Sequence, residues 1–354
     1  MSECVNVKDI KCRYEWVDVL KALGIIAIYL GHFGKDGGKL YPFVFEYHVP
    51  LFFLISGFFA MEKNIENFKY YFKKKFQRIM IPFFSFSIIY EVIYVLNNQI
   101  SGSEIIQITI KSFMGIRNNT ISPSLWFLPC LFIMYMMNYL LVKILKNKYL
   151  ILAVAFLFML STQTVFNNNP LVTPSWIWNI DSAVYYYVYF SLGNIYFNMV
   201  NRFINSKSSF RKKLITSILL IFVVVFAAIV YLKGSWYFVK DLHLGLFLVQ
   251  IYIVLSTLIL ISANTALSMT LVRIPLFVQI GKNTLILCCA EGLIKSLLQS
   301  IITIFGLTLE LTTPFDTLIY TFLCVLISYF TLVPFFKSYF PKIIGIYRDN
   351  NIAL

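Results

Sequence analysis

A few ionisable side chains lie inside stretches of this 354-residue chain that are otherwise apolar. Asp18, Lys21 and His32 come first, on one apolar helical segment. At 100° per residue, the eleven steps from Lys21 to His32 return to within about 20° of the same helix face, and Asp18 lies about 40° to the other side. The three form one polar stripe, expected to face the protein interior. A rise of 1.5 Å per residue separates Lys21 from His32 by roughly 16 Å along the axis, so they cannot touch within a straight helix. Such groups are costly in a bilayer and mark functional sites. Imidazole also gains and loses a proton near neutral pH without a special environment, which suits general-base work. The alternatives are an interfacial Asp18–Lys21 pair with a snorkelling lysine, and a histidine at headgroup level.

Further candidates follow along the chain. His48 opens the run His48-Val-Pro-Leu-Phe-Phe-Leu-Ile-Ser56-Gly57-Phe58, and Gly31, Gly34, Gly37 and Gly38 around His32 permit a close turn lining a cavity. The segment from Lys69 to Pro82 is the densest cation cluster, with Lys73, Lys74, Lys75 and Arg78. It suits anionic lipid headgroups or, more sharply, a phosphate-bearing donor gripped by Lys75 and Arg78. No Walker-type phosphate loop occurs. Glu291 and Lys295 are i,i+4 partners with Thr284 on nearly the same face, forming a structural clamp or a group that orients an imidazole. Pro129 is expected to kink the helix that starts near Ser124. Trp126, Trp176, Trp178 and Trp236 fall at the outer boundary as belt anchors or sugar-stacking platforms. His243 is also placed at the outer side and reads as structural.

The elements that must position these groups are membrane helices. The chain is 59% apolar and 13% charged, with mean hydropathy +0.76. Soluble domains carry about 25% charge. The fold class is therefore all-α, a polytopic helix bundle with ten spans near 17–33, 48–61, 80–97, 123–142, 149–166, 182–200, 214–232, 242–262, 283–305 and 315–336. Residues 1–15 form a tail, 16–336 one membrane domain, and 337–354 a second tail. Of the 30 Lys and Arg, 22 fall on one side of these spans. Six (Lys35, Lys39, Lys111, Arg117, Lys233 and Lys240) fall on the other, with Lys21 and Lys295 inside spans. By the positive-inside rule both termini are cytoplasmic, and the net charge of +14 reports topology and not nucleic-acid binding. The six cysteines, Cys4, Cys12, Cys130, Cys288, Cys289 and Cys324, form no CxxC pair and read as structural thiols, with no disulfide and no metal expected. No small-residue cleavage site follows the polar first dozen residues, so the first span is expected to be a retained anchor.

The ordered set of motifs resembles the acyltransferase 3 family of multi-spanning membrane acyltransferases. It comprises Asp18-x-x-Lys21 with His32 eleven residues on, His48-Val-Pro-Leu-Phe-Phe through Ser56-Gly57-Phe58, and Lys75-x-x-Arg78 before Pro82. Leu125-Trp126-Phe127-Leu128 and Ile280-Gly281-Lys282-Asn283-Thr284-Leu285 complete it. The resemblance implies O-acetyl transfer from acetyl-CoA, as co-substrate, to a hydroxyl of an extracytoplasmic glycan such as capsule or O-antigen polysaccharide, at a cell membrane of bacterial type. By that resemblance His32 is the essential histidine, and Lys75 and Arg78, with Lys74, bind the donor. Lys21 stands where arginine is common, and Glu291 where many members show a histidine. His48, Ser56 and Trp126 are assigned to the acceptor. The expected mechanism docks the nucleotide at the cation cluster, threads the thioester into a polar channel, and uses His32 as general base or as a transient acyl carrier. Asp18 and Lys21 extend the site, and Glu291 or His48 steadies the imidazole. Some members add an extracytoplasmic hydrolase-like domain. The chain ends at Leu354 without one, so the membrane domain is expected to deliver the acyl group itself. A transporter or flippase for a glycan or lipid-linked precursor would use the same interior polar residues without forming bonds, and a scaffolding protein would leave His32 and Glu291 unexplained.

Overall fold

The computed structural model describes residues 13–60, 67–98, 100–166, 173–205, 210–234, 245–306, 311 and 313–347. Cys4, Cys12, Trp236, Lys240 and His243 lie outside the described residues. Within the described residues every regular element is helical. α1 (Glu15–Gly31) is followed by two short helices, α2 (Leu40–Phe45) and α3 (His48–Gly57). α4 (Phe68–Lys75) runs through a π-helical turn, Phe76–Met80, into α5 (Ile81–Asn97). α6 (Gly102–Met114), α7 (Phe127–Leu145), α8 (Lys148–Val165), α9 (Ile180–Asn205), α10 (Phe210–Lys233) and α11 (Leu246–Leu271) come next. α12 (Pro275–Lys282), α13 (Thr284–Ile304), α14 (Pro314–Phe330) and α15 (Leu332–Tyr339) close the chain.

Local chemistry explains many of these boundaries. The Asn67 side chain caps α4 and that of Asn147 caps α8, while Thr313 and Asp316 form a capping box with Pro314 in the first turn of α14. The π turn sits just before Pro82, which has no N–H for the Arg78 carbonyl, so the i→i−4 ladder is interrupted there in any case. Pro129 does not kink α7. That helix begins at Phe127, three residues later than the Ser124 start expected from sequence, so Pro129 occupies the first turn, where its missing N–H costs nothing.

Among the described residues, six runs are long and apolar enough to cross a membrane: Leu40–Gly57, Phe68–Asn97, Phe127–Leu145, Leu246–Leu271, Thr284–Ile304 and Pro314–Tyr339. Lys148–Thr162 and Ile221–Lys233 are shorter apolar helices. The ten spans expected from hydropathy are thus met at six. Two of the remainder, α1 and α9, face protein more than lipid. α1 packs against α3, α11, α12, α13 and α14, and all but three of its residues are buried. α9 turns a band of tyrosines and asparagines inward, where Tyr187 donates to Asn138, Asn194 donates to the Phe58 carbonyl, and Tyr196 bonds Ser262 and Thr265. A helix shielded by its neighbours can carry polar groups that a lipid-facing one cannot.

The core is therefore centred on α1, the helix that carries Asp18, Lys21 and, at its C-terminal cap, His32. One close approach fixes its lower half. A Cβ on Gly281 of α12 would run into the Asp18 backbone carbonyl, so only glycine lets these two helices meet at that depth. This gives the Ile280-Gly281-Lys282-Asn283-Thr284 motif a packing reason.

Candidate active site

α1 ends at His32, whose amide still bonds the Ile28 carbonyl, while its side chain leaves the helix axis toward α13. His32 Nδ1 lies 2.6 Å from Glu291 Oε2. A carboxylate can only accept, so Nδ1 carries the proton, and in the neutral ring Nε2 is the bare nitrogen. Glu291 is 1% exposed and its other oxygen, Oε1, accepts from Lys295 Nζ at 2.6 Å. Lys295 donates as well to the Tyr29 carbonyl at 2.9 Å and lies 3.9 Å above the Phe33 ring. An ionised carboxylate this deep would be costly alone, and Lys295 supplies the compensating charge one turn away. The i,i+4 pair expected from sequence is present, and it is aimed at the His32 imidazole.

The turn of α13 that holds Glu291 is pinned from three sides. Hydroxyls of Tyr29, Ser124 and Tyr90 donate to the consecutive carbonyls of Leu287, Cys288 and Cys289, at 2.8, 2.9 and 2.9 Å. The Tyr90 hydroxyl also accepts from the Leu293 amide at 3.1 Å. Cys289 and Leu293 are i and i+4, so Tyr90 of α5 inserts its oxygen between a donor and acceptor that would otherwise bond each other. Gly292 lies directly beneath that ring.

Two cavities meet beside His32. The first, about 600 Å³, is lined by His32, His48, Arg117, Ser124, Trp126 and Tyr186 among others. His48 Nδ1 donates to the Val44 carbonyl at 2.7 Å, which again leaves Nε2 bare. The Arg117 guanidinium sits 4.7 Å over the Trp126 ring. The second cavity, about 340 Å³, is lined by Lys21, Ser56, Lys75, Arg78, Tyr135 and Thr284 among others. Lys75 Nζ stands 3.4 Å above the Tyr135 ring, held by a cation–π contact. Ile28, Phe52, Phe127 and Cys288 line both cavities and form their common wall.

The candidates from sequence thus divide. His32, Glu291, His48 and Trp126 gather at the first cavity, with Glu291 behind the imidazole. Lys21, Lys75 and Arg78 gather at the second, where Ser56 also lies, its hydroxyl donating to the Phe52 carbonyl. Asp18 lines neither. It is buried, bonded to Arg13 Nε at 2.7 Å and Lys21 Nζ at 3.5 Å, and so holds Lys21 in place. Lys74 also lines neither cavity and lies over the Tyr70 ring. Trp178 donates to the Phe113 carbonyl and Trp176 is exposed, so neither joins Trp126.

Arg117 and Arg13 escaped the sequence reading as site residues. Arg117 counted only toward topology, although it lies nine residues before Trp126 in a segment rich in Ser, Asn and Pro. Arg13 sits at the start of α1, outside the apolar run, so hydropathy gave no reason to pair it with Asp18. Cys130, Cys288, Cys289 and Cys324 are free thiols, all buried. Among the described residues no three His, Cys, Asp or Glu side chains cluster as metal ligands.

A family model described as an acyltransferase domain, Acyl_transf_3, matches residues 14–333, nearly the whole chain. No curated protein and no solved structure matches it.

Proposed function

We propose that this chain, which belongs to the acyltransferase 3 family and is a membrane acyltransferase, moves an acetyl group from acetyl-CoA to a hydroxyl of an extracytoplasmic glycan. The observation that carries the reading is the common wall between a cavity of cations and a cavity of imidazoles. The phosphates of acetyl-CoA dock at Lys21, Lys75 and Arg78. Lysine offers point charges and Arg78 a planar fork. The pantetheine arm then reaches the wall of Ile28, Phe52, Phe127 and Cys288 and presents the thioester to the far side. This shortens the transfer relative to a full bilayer, because the helices bring the two cavities into contact within the roughly 30 Å hydrocarbon layer.

The acceptor hydroxyl lies in the first cavity against His32. Nε2 takes the hydroxyl proton as the oxygen attacks the thioester carbonyl, and the C–S bond breaks. The imidazolium then returns the proton to the departing CoA thiolate. Glu291 fixes the tautomer with Nδ1–H and stabilises the cation formed in between. Lys295 holds that carboxylate without touching substrate. His48, with Nε2 bare, accepts a second acceptor hydroxyl, and Trp126 offers a face for the sugar ring. The cation cavity faces the cytoplasm and the imidazole cavity the outside, in keeping with the charge asymmetry of the loops.

The test is radiolabelled acetyl-CoA supplied to membranes containing the chain, with O-acetyl content of the surface glycan followed by NMR. Label is expected in the glycan with the wild-type chain, and His32→Ala should lower transfer by about 10²–10⁴-fold while the protein stays folded. Wild-type transfer by that variant removes His32 from the chemistry. Absence of label in any acceptor removes acetyl-CoA as donor.

A further inference from the structure

We infer that the groove between α5, α13 and α15 is a binding site for an anionic glycerophospholipid of the bilayer, with an acyl tail along the groove and the phosphate at Lys337 and Lys342. Such a site involves neither His32 nor acetyl-CoA and would stand whatever group the chain transfers. All three helices belong to runs long and apolar enough to cross a membrane, Phe68–Asn97, Thr284–Ile304 and Pro314–Tyr339. The groove holds about 620 Å³, and Ile89, Ile93, Leu297, Phe335 and Phe340 are among its lining residues. Ile93, Leu297, Phe335 and Phe340 are exposed, so the groove opens on the outer surface of the bundle. Along α5 its wall extends from Ile89 to Asn97, about 12 Å at 1.5 Å per residue. In a bilayer a slot of that shape takes a flexible hydrocarbon chain, because an empty one forfeits the dispersion contacts of its lining.

Apolar walls alone do not select a lipid, because a tail leaving the bilayer for the groove exchanges one hydrocarbon setting for another. Charge does. Phe340 and Ile343 form one end of the groove and bracket Lys342, while Lys337 follows the lining residue Phe336. Both lysines are exposed, and among the described residues neither pairs with a carboxylate. Among those residues no Asp or Glu lines the groove either. This end lies on the side of the cation cavity, since Gly345, two residues beyond Ile343, packs on the Arg78 backbone. Lysines at the rim of an apolar slot between membrane helices match a phosphodiester headgroup. The groove also reaches the Glu291 turn from behind. Tyr90 and Leu293 both line it, and the bond from the Leu293 amide to the Tyr90 hydroxyl helps to hold that turn of α13. A tail seated there packs against the Tyr90 ring and keeps it wedged over Gly292.

The test compares dioleoyl phosphatidylglycerol with dioleoyl phosphatidylcholine, which share tails and differ in headgroup charge, on the purified full chain in detergent. Native mass spectrometry counts the bound lipid, and hydrogen exchange follows the amides of residues 289–293. One phosphatidylglycerol per chain is expected to be retained about tenfold or more over phosphatidylcholine, the preference that two lysines near a phosphate provide. Its binding should slow exchange in that turn. Lys337→Ala with Lys342→Ala should bring the two lipids within about twofold, and Leu297→Trp, which fills the slot, should lower retention of both. Equal retention by the wild-type chain overturns the site, as does a preference that survives without the lysines or retention unchanged in Leu297→Trp. Bound phosphatidylglycerol with no change in exchange overturns the contact with Tyr90. A dimer in place of a lipid-bound chain assigns the groove to a second copy, and tighter retention of a polyprenyl phosphate assigns it to a carrier lipid; either result overturns the proposal. If Leu297→Trp fails to fold, the headgroup ratio and the double lysine variant, confined to exposed positions, decide.

Discussion

Three ionisable side chains meet at the residue scale. Glu291 receives His32 on one oxygen and Lys295 on the other, both at 2.6 Å. Glu291→Gln removes the charge that stabilises the imidazolium and lets an amide N–H compete for the wrong tautomer, so kcat should fall by about 10²–10⁴-fold. It also leaves the partly buried Lys295 without its carboxylate, which should lower the thermal unfolding midpoint. Glu291→Gln with Lys295→Met removes both charges, so thermal stability should recover while activity does not. Recovery of both would reduce Glu291 to a structural clamp. Half of this arrangement was legible in the chain. The i,i+4 spacing of Glu291 and Lys295 puts them on one face of one helix. The pairing of Glu291 with His32 spans 259 residues, and no periodicity within a helix reports a contact between helices.

At the scale of elements, the cation cavity depends on how α5 and the turn after α15 hold their neighbours. Gly345 lies at φ +74°, and a Cβ there would stand only 2.9 Å from the Arg78 α-carbon, so the turn after α15 packs closely on the π turn that carries Arg78. Gly345→Ala would meet both a left-handed backbone and the Arg78 carbonyl. The expected result is a raised KM for acetyl-CoA with a smaller change in kcat, read by steady-state kinetics at saturating acceptor. An unchanged KM would detach this turn from the donor cavity. Hydropathy found the lipid-facing helices well because they must be apolar along their whole length. It located α1 without showing that its neighbours shield it, a property of packing that no single segment carries. The π turn was equally hidden, since Pro82 reads from sequence only as a first-turn proline.

For the whole molecule, the disposition of the two cavities is the quantity to measure. In a background without native cysteines, Thr120→Cys reports on the imidazole cavity and Ser56→Cys on the cation cavity. In sealed vesicles an impermeant maleimide should reach these two positions from opposite faces. Labelling of both from one face would end the relay across the bilayer and move the acceptor chemistry to the donor's side. The sequence pointed to His32, His48 and Trp126 for one cavity and to Lys21, Lys75 and Arg78 for the other, but not to the contact between them. Lys21 and His32, roughly 16 Å apart on α1, had to be linked through some further space. The fold supplies it by packing α3 and α13 against that helix, with Phe127 of α7 beside them, and the side chains they contribute there are apolar or a thiol.

That partition of Ile28, Phe52, Phe127 and Cys288 has a bioenergetic consequence. Hydrated protons and metal cations find no ligand on two phenyl rings, a branched alkyl chain and a neutral sulfur. A small uncharged acyl unit would incur little penalty there, and in the proposed transfer the nucleotide would be retained by its own phosphates. On that proposal the acyl unit would pass outward without discharging an ion gradient across the membrane.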